Sequence, residues 1–281
     1  MLKFIECPRD AMQGWARQIP SDEKTGYLNA LLDVGFDTLD FGSFVSPKAV
    51  PQMADTAEVM KGLKPSATKL LSIVANVRGA EEAVGYDAIS YLGFPFSISE
   101  TFQLRNTNKT IAEAMEQVQT IQELCIKNNK QLVIYISMGF GNPYGDPYST
   151  DTVLYWANSF AELNIPIISL ADTVGVAEPK GIAKLFSHLV PKFPETEFGA
   201  HFHSTPQLWE EKISAAYDNG CTRFDSAMRG IGGCPFAQDD LVGNIATENL
   251  VYFCRQRNLP VPLNMERFAV AGALADKVFG H

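Results

Sequence analysis

Apolar runs and helix-forming stretches alternate from one end of this 281-residue chain to the other. The apolar runs fall at residues 2–8, 38–44, 69–76, 88–94, 132–138, 166–171, 197–203 and 223–227. Most are continuous, as in parallel strands covered on both faces. Helical stretches follow at 21–34, 53–62, 78–85, 107–129, 149–163, 179–190, 206–219 and 243–257. The longest sets Ile111, Met115, Val118, Ile121 and Leu124 on one face. Ser21 is expected to cap the helix at 21–34, with Lys24 where a capping box would carry Glu, and Gly35 to end it. Eight such units in 281 residues predict an α/β fold, a closed (β/α)8 TIM barrel in one domain, 1–281, with a helical extension after Pro260. An open doubly wound sheet would carry GxGxxG after an early strand, and none is there.

Composition narrows the function. A net charge of -9 argues against general binding of nucleic acid or anionic membrane. No apolar run is long enough to span a bilayer, and the N-terminus carries no signal-peptide pattern. Five scattered cysteines, an odd number, do not suggest a disulfide framework, so the cytoplasm is the expected compartment. Cys7, Cys125, Cys221 and Cys254 read as small apolar fillers.

The barrel gives the polar residues a place, because barrel active sites sit at the C-terminal ends of the strands. His201 and His203 are i and i+2 on the seventh strand and share a face. Two of the chain's four histidines sit there. Arg9, Asp10 and Gln13 follow the first strand; Asp40, Ser43 and Lys48 follow the second. Asp172 and Thr173 end the sixth, and Arg229, Cys234 and Asn244 follow the eighth. Asp10, His201, His203 and Asn244 make a mixed oxygen and nitrogen donor set, which suits Mg or Mn better than a closed structural zinc site. Arg9 keeps its charge and can hold a developing enolate or carboxylate.

Longer motifs sharpen this. They are Pro8-Arg9-Asp10 with Gln13, the run from Ser43 to Lys48, and Val50 to Asp55. Ser99-Glu100 with Phe102 and Asn106 follows, then Ser169-Leu170 with Asp172-Thr173 and Gly175. Last come His201, His203 and Thr205, Gly232-Gly233-Cys234-Pro235 with Ala237, Gly243-Asn244, and Ala246-Thr247-Glu248. On these residues the chain resembles the metal-dependent carbon–carbon lyase barrels, related to pyruvate-carboxyltransferase domains, and within them the hydroxymethylglutaryl-CoA lyase family. The resemblance implies Asp10, His201, His203 and Asn244 as ligands of a divalent cation. Arg9, Asp10, His201 and Cys234 would be catalytic, with Cys234 on a loop that closes over the substrate. Gln13, Asp40, Ser43, Lys48, Asp172, Thr173 and Thr205 would meet the substrate. It implies cleavage of a small-molecule CoA thioester to acetoacetate and acetyl-CoA, in the setting of leucine degradation, and leaves room for a homodimer.

The chain also departs from that pattern. The family's acidic residue four positions before the motif arginine is Ile5, and Glu6 replaces it only if the strand bulges. The glycine after the motif aspartate is Ala11, and the strand-2 acid is Asp40 rather than Glu. The HxHDT pattern reads His203-Ser204-Thr205, and ATED reads ATEN, ending at Asn249. The cysteine loop runs Gln238 to Val242, one residue longer than the usual small-residue loop, with Asp239 and Asp240 added. Those carboxylates would oppose an anionic substrate unless they point outward or pair with Arg229. Two alternatives therefore stay open: a metal-dependent aldolase or lyase of the same family acting on another hydroxy acid, and an inactive metal-binding barrel serving as a scaffold.

Overall fold

The computed structural model describes residues 1–233 and 242–280. Eight parallel strands close in sequence order: β1 (Lys3–Glu6), β2 (Thr38–Ser43), β3 (Lys69–Ile73), β4 (Ile89–Ser97), β5 (Gln131–Ser137), β6 (Ile167–Asp172), β7 (Glu197–Phe202) and β8 (Arg223–Ser226), with β8 pairing back onto β1. Helices cover the outside: α1 (Pro8–Gln13), α2 (Ser21–Val34), α3 (Thr56–Lys61), α4 (Val77–Val84), α5 (Glu100–Thr107), α6 (Ile111–Lys127), α7 (Thr150–Glu162), α8 (Pro179–Lys192), α9 (Trp209–Tyr217), α10 (Thr247–Gln256) and α11 (Met265–Phe279). The expected (β/α)8 barrel is therefore the observed fold.

Local chemistry explains where the elements differ from expectation. The helix expected at 107–129 begins at Ile111 as α6, because α5 ends at Thr107 where Asn108 adopts a left-handed conformation (φ 55), and Thr110 with Glu113 then builds a capping box. Ser21 is the first residue of α2 rather than its cap, and Pro20 holds the cap position. The Ser21 hydroxyl instead donates to Asp55 Oδ2 at 2.6 Å. Lys24 is buried and donates to Asp55 Oδ1 at 2.6 Å and to the Gln52 carbonyl. The first strand ends at Glu6, since Pro8 starts α1 and places Arg9 and Asp10 on a helix. Residues 243–246 are not helical: Ser204 N–H donates to Gly243 O at 3.0 Å and Ile245 N–H to Phe202 O at 3.3 Å. The helix after Pro260 is α11, capped by the Asn264 side chain, and Phe279 packs edge-on to Tyr27 at 5.9 Å.

The core has two compartments. The larger lies between strands and helices and includes Phe96, Trp156 and Phe160, with Phe96 and Phe160 ring centroids 4.9 Å apart. Truncating such a buried phenylalanine costs about 3–5 kcal/mol. The smaller fills the barrel with Leu71, Tyr91, Val133, Tyr135 and Ile167. Polar groups share the barrel interior with it. Arg223 is fully buried there, in space that a Cβ on Gly199 would take, 3.0 Å from Arg223 Cδ.

A candidate metal centre at the barrel mouth

β7 delivers His201 and His203 to the C-terminal end of the barrel, and α1 brings Asp10 against them. One ligand atom from each of the three lies within 4.8 Å of the others. Each ring is held by its Nδ1: His203 to the Thr173 carbonyl at 3.0 Å, His201 to Asp225 Oδ2 at 3.1 Å. With Nδ1 carrying the proton, Nε2 is left with a lone pair. His203 Nε2 is buried, has no partner, and lies 4.0 Å from Asp10 Oδ2. Burial and the His201 charge push the His203 pKa down to about 4, so the ring is neutral at neutral pH. Burial also opposes charge on His201, but the hydrogen bond and field of Asp225 win and its pKa rises.

Asp10 is the anionic member. Burial works against its charge, yet Arg9 and both imidazoles more than offset that and hold its pKa at about 2. Its Oδ1 accepts from Arg9 Nη1 at 3.0 Å and Gln13 Nε2 at 2.8 Å. Its Oδ2 accepts from Asn244 Nδ2 at 2.7 Å. Asn244 reaches this point because Gly232, at φ 108, lets the backbone pass close; a Cβ there would sit 2.6 Å from Asn244 Nδ2. The donor set is thus one carboxylate, two imidazoles whose Nε2 atoms are not used by Thr173 or Asp225, and an adjacent amide, which fits a divalent cation with open positions.

Arg9 lies between two carboxylates. Nε and Nη2 donate to Asp40 Oδ2 at 3.0 and 2.5 Å, while Nη1 serves Asp10. The bulge at Phe41, between the Asp40–Leu71 and Gly42–Ser72 pairings, shapes this end of β2. Burial raises the Asp40 pKa to about 6 despite Arg9. It remains ionised at neutral pH, as its bidentate pairing requires.

A cavity of about 400 Å3 opens over these groups. Arg9, Asp10, Gln13, Ser43, Thr173, His201 and His203 form its polar wall; Val45, Val50, Ile73 and Phe102 are apolar, and Arg105 and Asn106 also line it. The structure thus brings together Arg9, Asp10, Gln13, Ser43, Thr173, His201, His203 and Asn244. Asp40, Lys48, Asp172 and Thr205 are not in the cavity wall. Asp40 is buried behind Arg9, and Lys48 and Thr205 are exposed. Asp172 turns outward from β6: its Oδ2 accepts from the buried Lys212 ammonium at 2.6 Å and its Oδ1 from Ala177 N–H at 3.0 Å. The expectations for Cys234, Asp239 and Asp240 lie outside the described residues. Arg229 already bonds Asp276 at 2.6 and 2.8 Å and Glu248 at 2.8 Å.

β1 pairs with both neighbours without a register shift, so Ile5 stays opposite Asp225 and Glu6 faces the helices. Glu6 therefore does not fill the position of the missing acid. Three neighbours of the site escaped the sequence reading: Asp225 behind His201, Tyr135 edge-on to the same ring at 5.7 Å, and Lys212 under the His203 carbonyl at 2.9 Å. Asp225 had a usable signal, being i+2 from Arg223 on the inward face of β8.

A closed parallel barrel with a donor set that could hold a cation, and an arginine beside it at the C-terminal mouth, has the features of the metal-dependent barrel enzymes. Comparison with known proteins gives the family. The HMGL-like family model matches residues 3–274, and the chain belongs to that family of metal-dependent lyases. It is 30% identical over 274 residues to a hydroxymethylglutaryl-CoA lyase of Bacillus subtilis (strain 168), covering 97% of this chain and 91% of that one. It is 30% identical over 275 residues to the 3-hydroxy-3-isohexenylglutaryl-CoA/hydroxymethylglutaryl-CoA lyase of Pseudomonas aeruginosa, at 97% and 91% coverage. The structure of an HMG-CoA lyase from Acinetobacter baumannii, in complex with coenzyme A and 3-methylmalate, superposes with a TM-score of 0.93 at 33% identity, covering 100% of this chain and 92% of that one. Among the described residues no helix is long and apolar enough to cross a membrane.

Proposed function

We propose that this chain is one catalytic domain that cleaves 3-hydroxy-3-methylglutaryl-CoA to acetoacetate and acetyl-CoA with bound Mg or Mn. The observation that carries the reading is His203 Nε2, buried, without a partner, and turned toward the Asp10 carboxylate. A lone pair in that state is costly unless something fills the space. Asp10, His201 and His203 would hold the ion, with the amide of Asn244 beside them. A divalent cation there would make a chelated tertiary hydroxyl easier to ionise.

The remaining chemistry falls to the chain's own groups. The hydroxyl-bearing carbon becomes the ketone of acetoacetate. The bonding pair of the broken C–C bond leaves with the α-carbon of the thioester as an enolate, which takes up a proton to give acetyl-CoA. Arg9 lines the cavity with a permanent charge and can offset that enolate. Asp40 holds Arg9 by two N–H groups and so acts by positioning it. His201 has one nitrogen committed to Asp225, which leaves one for the cation. The apolar wall of Val45, Val50, Ile73 and Phe102 suits the uncharged part of a pantetheine-linked acyl chain. The named activity of the Pseudomonas aeruginosa relative makes a longer 3-substituent the natural competitor substrate.

The test measures acetoacetate release from hydroxymethylglutaryl-CoA, from its free acid and from longer 3-alkyl homologues. It uses protein stripped with a chelator and reloaded with Mg or Mn. Full activity in stripped protein would defeat the metal assignment, and cleavage of the free acid alone would move the assignment to another hydroxy acid.

A further inference from the structure

Glu6 is fully buried on β1, and the chemistry above makes no use of it. Its two carboxylate oxygens accept from the two ends of one long connection. Oε1 accepts from the Met228 N–H at 2.7 Å, just after β8. Oε2 accepts from the Thr247 hydroxyl at 2.6 Å, at the first residue of α10. Thr247 Oγ1 also lies 3.0 Å from Ser226 Oγ. Between those anchors run Cys234 and Asn244.

The two limbs also touch each other. Ala227 N–H donates to Ile245 O at 3.0 Å, and Thr247 N–H to Ala227 O at 3.1 Å. Asn244 Nδ2 donates across to Ile231 O at 3.0 Å as well as to Asp10. The returning limb thus has a fixed register against the outgoing one, and the amide of Asn244 arrives beside Asp10 only in that register. Glu6 and Asp10 lie four residues apart, at the end of β1 and the start of α1.

We propose that Glu6 is a positioning residue, a buried clamp that ties both roots of the Cys234–Asn244 connection to the strand leading to Asp10 and thereby sets Asn244 in the cation site. Without the clamp, the Met228 N–H and the Thr247 hydroxyl are left to seek other partners in a buried space, and the limbs are free to slip. A glutamine keeps the clamp: its oxygen accepts from Met228, and its amide donates to Thr247, whose own proton turns to Ser226. A valine removes it at little change in burial.

The experiment compares native protein with Glu6→Gln, Glu6→Val and Thr247→Val. Two readouts need no turnover: amide hydrogen exchange of 226–233 and 242–250, and the Kd for Mn2+ by titration. Glu6→Val and Thr247→Val should each speed exchange in both segments at least tenfold and weaken Mn2+ at least fivefold. Glu6→Gln should stay within twofold of native in both. Unchanged exchange and Kd in Glu6→Val, or a Gln variant as perturbed as Val, would overturn the clamp. If Glu6→Val does not fold, Thr247→Val decides, and native-like values there overturn it equally. The link to Asn244 rests on the cation site proposed above, and the exchange arm does not. Native protein that binds no Mn2+ but shows the exchange pattern would defeat that site and leave the clamp.

Discussion

Lys212 offers the sharpest test of how the proposed metal centre is supported from outside the barrel. Its ammonium is almost wholly buried and donates to Asp172 Oδ2 at 2.6 Å, to Gly175 O at 2.9 Å and to His203 O at 2.9 Å. Lys212→Met keeps the apolar stem and removes the charge. Asp172, 1% exposed, is then a buried anion without its cation. Breaking one side of such a pair costs about 3–5 kcal/mol, a large share of the roughly 5–15 kcal/mol that holds a protein folded. The loss should depend on pH. Burial already raises the Asp172 pKa with Lys212 beside it, and removing Lys212 raises it further. A carboxyl whose folded pKa exceeds its unfolded value destabilises above the unfolded pKa, about 3.9. The deficit is therefore larger at neutral pH and closes as pH falls toward that value. Urea unfolding of native and variant protein at pH 7.5 and pH 5 measures it. Lys212→Met/Asp172→Asn should recover at least ~1–2 kcal/mol at pH 7.5, because it removes the stranded charge. A single variant within 1 kcal/mol of native at pH 7.5, or a double variant no better than the single, would refute the argument.

Three further outcomes are expected. His203→Ala should lose bound Mg or Mn by elemental analysis while circular dichroism stays native, since the ring sits at the barrel mouth; unchanged metal content would remove His203 from the site. Arg9→Lys should lower kcat/KM for the thioester by about 10–1000-fold, because an ammonium cannot reproduce the fork that spans Asp40 and Asp10; a loss under twofold would argue against Arg9 as the enolate partner. Glu6→Gln should flatten the pH dependence of stability. Burial lifts the Glu6 pKa from 4.5 to about 8, so the folded state keeps a proton that the unfolded state loses between those values. Native stability should fall across that window, by up to about 1.4 kcal/mol per unit, and the variant should be spared; parallel curves would count against it.

The barrel was legible because eight apolar runs alternate with eight helical stretches, a pattern carried by covalent spacing and burial. The candidate site was legible where two potential ligands have the same parity, as His201 on β7 and His203 just past its end do. It became less so where a side chain's direction depends on register. Asp172 ends β6 next to Thr173, but Ile167 lines the barrel interior, so strand parity turns Asp172 outward to Lys212. Asp225 has the inward parity and lies beneath His201. Parity also sends Glu6 away from the cavity, and the absence of a bulge in β1 was the fact needed to conclude so. The partners of Glu6 and Lys212 are tertiary: Thr247 is 241 residues away and Asp172 is 40 away, beyond any local pattern.

Closure of the barrel joins its first strand to its last, with Lys3 to Glu6 in register with Arg223 to Ser226. Asp10 enters from the first unit and Asn244 from the last, 234 residues apart. A chain that has built seven units would lack part of the proposed site, however well its helices are packed. Cation binding should thus belong to the late, unfolding side of the folding barrier. Adding Mn2+ to refolding protein should leave the folding rate nearly unchanged and slow unfolding instead. The ion would then act as a latch on a ring already shut, and the protein's lifetime, more than its speed of assembly, would follow the metal supply.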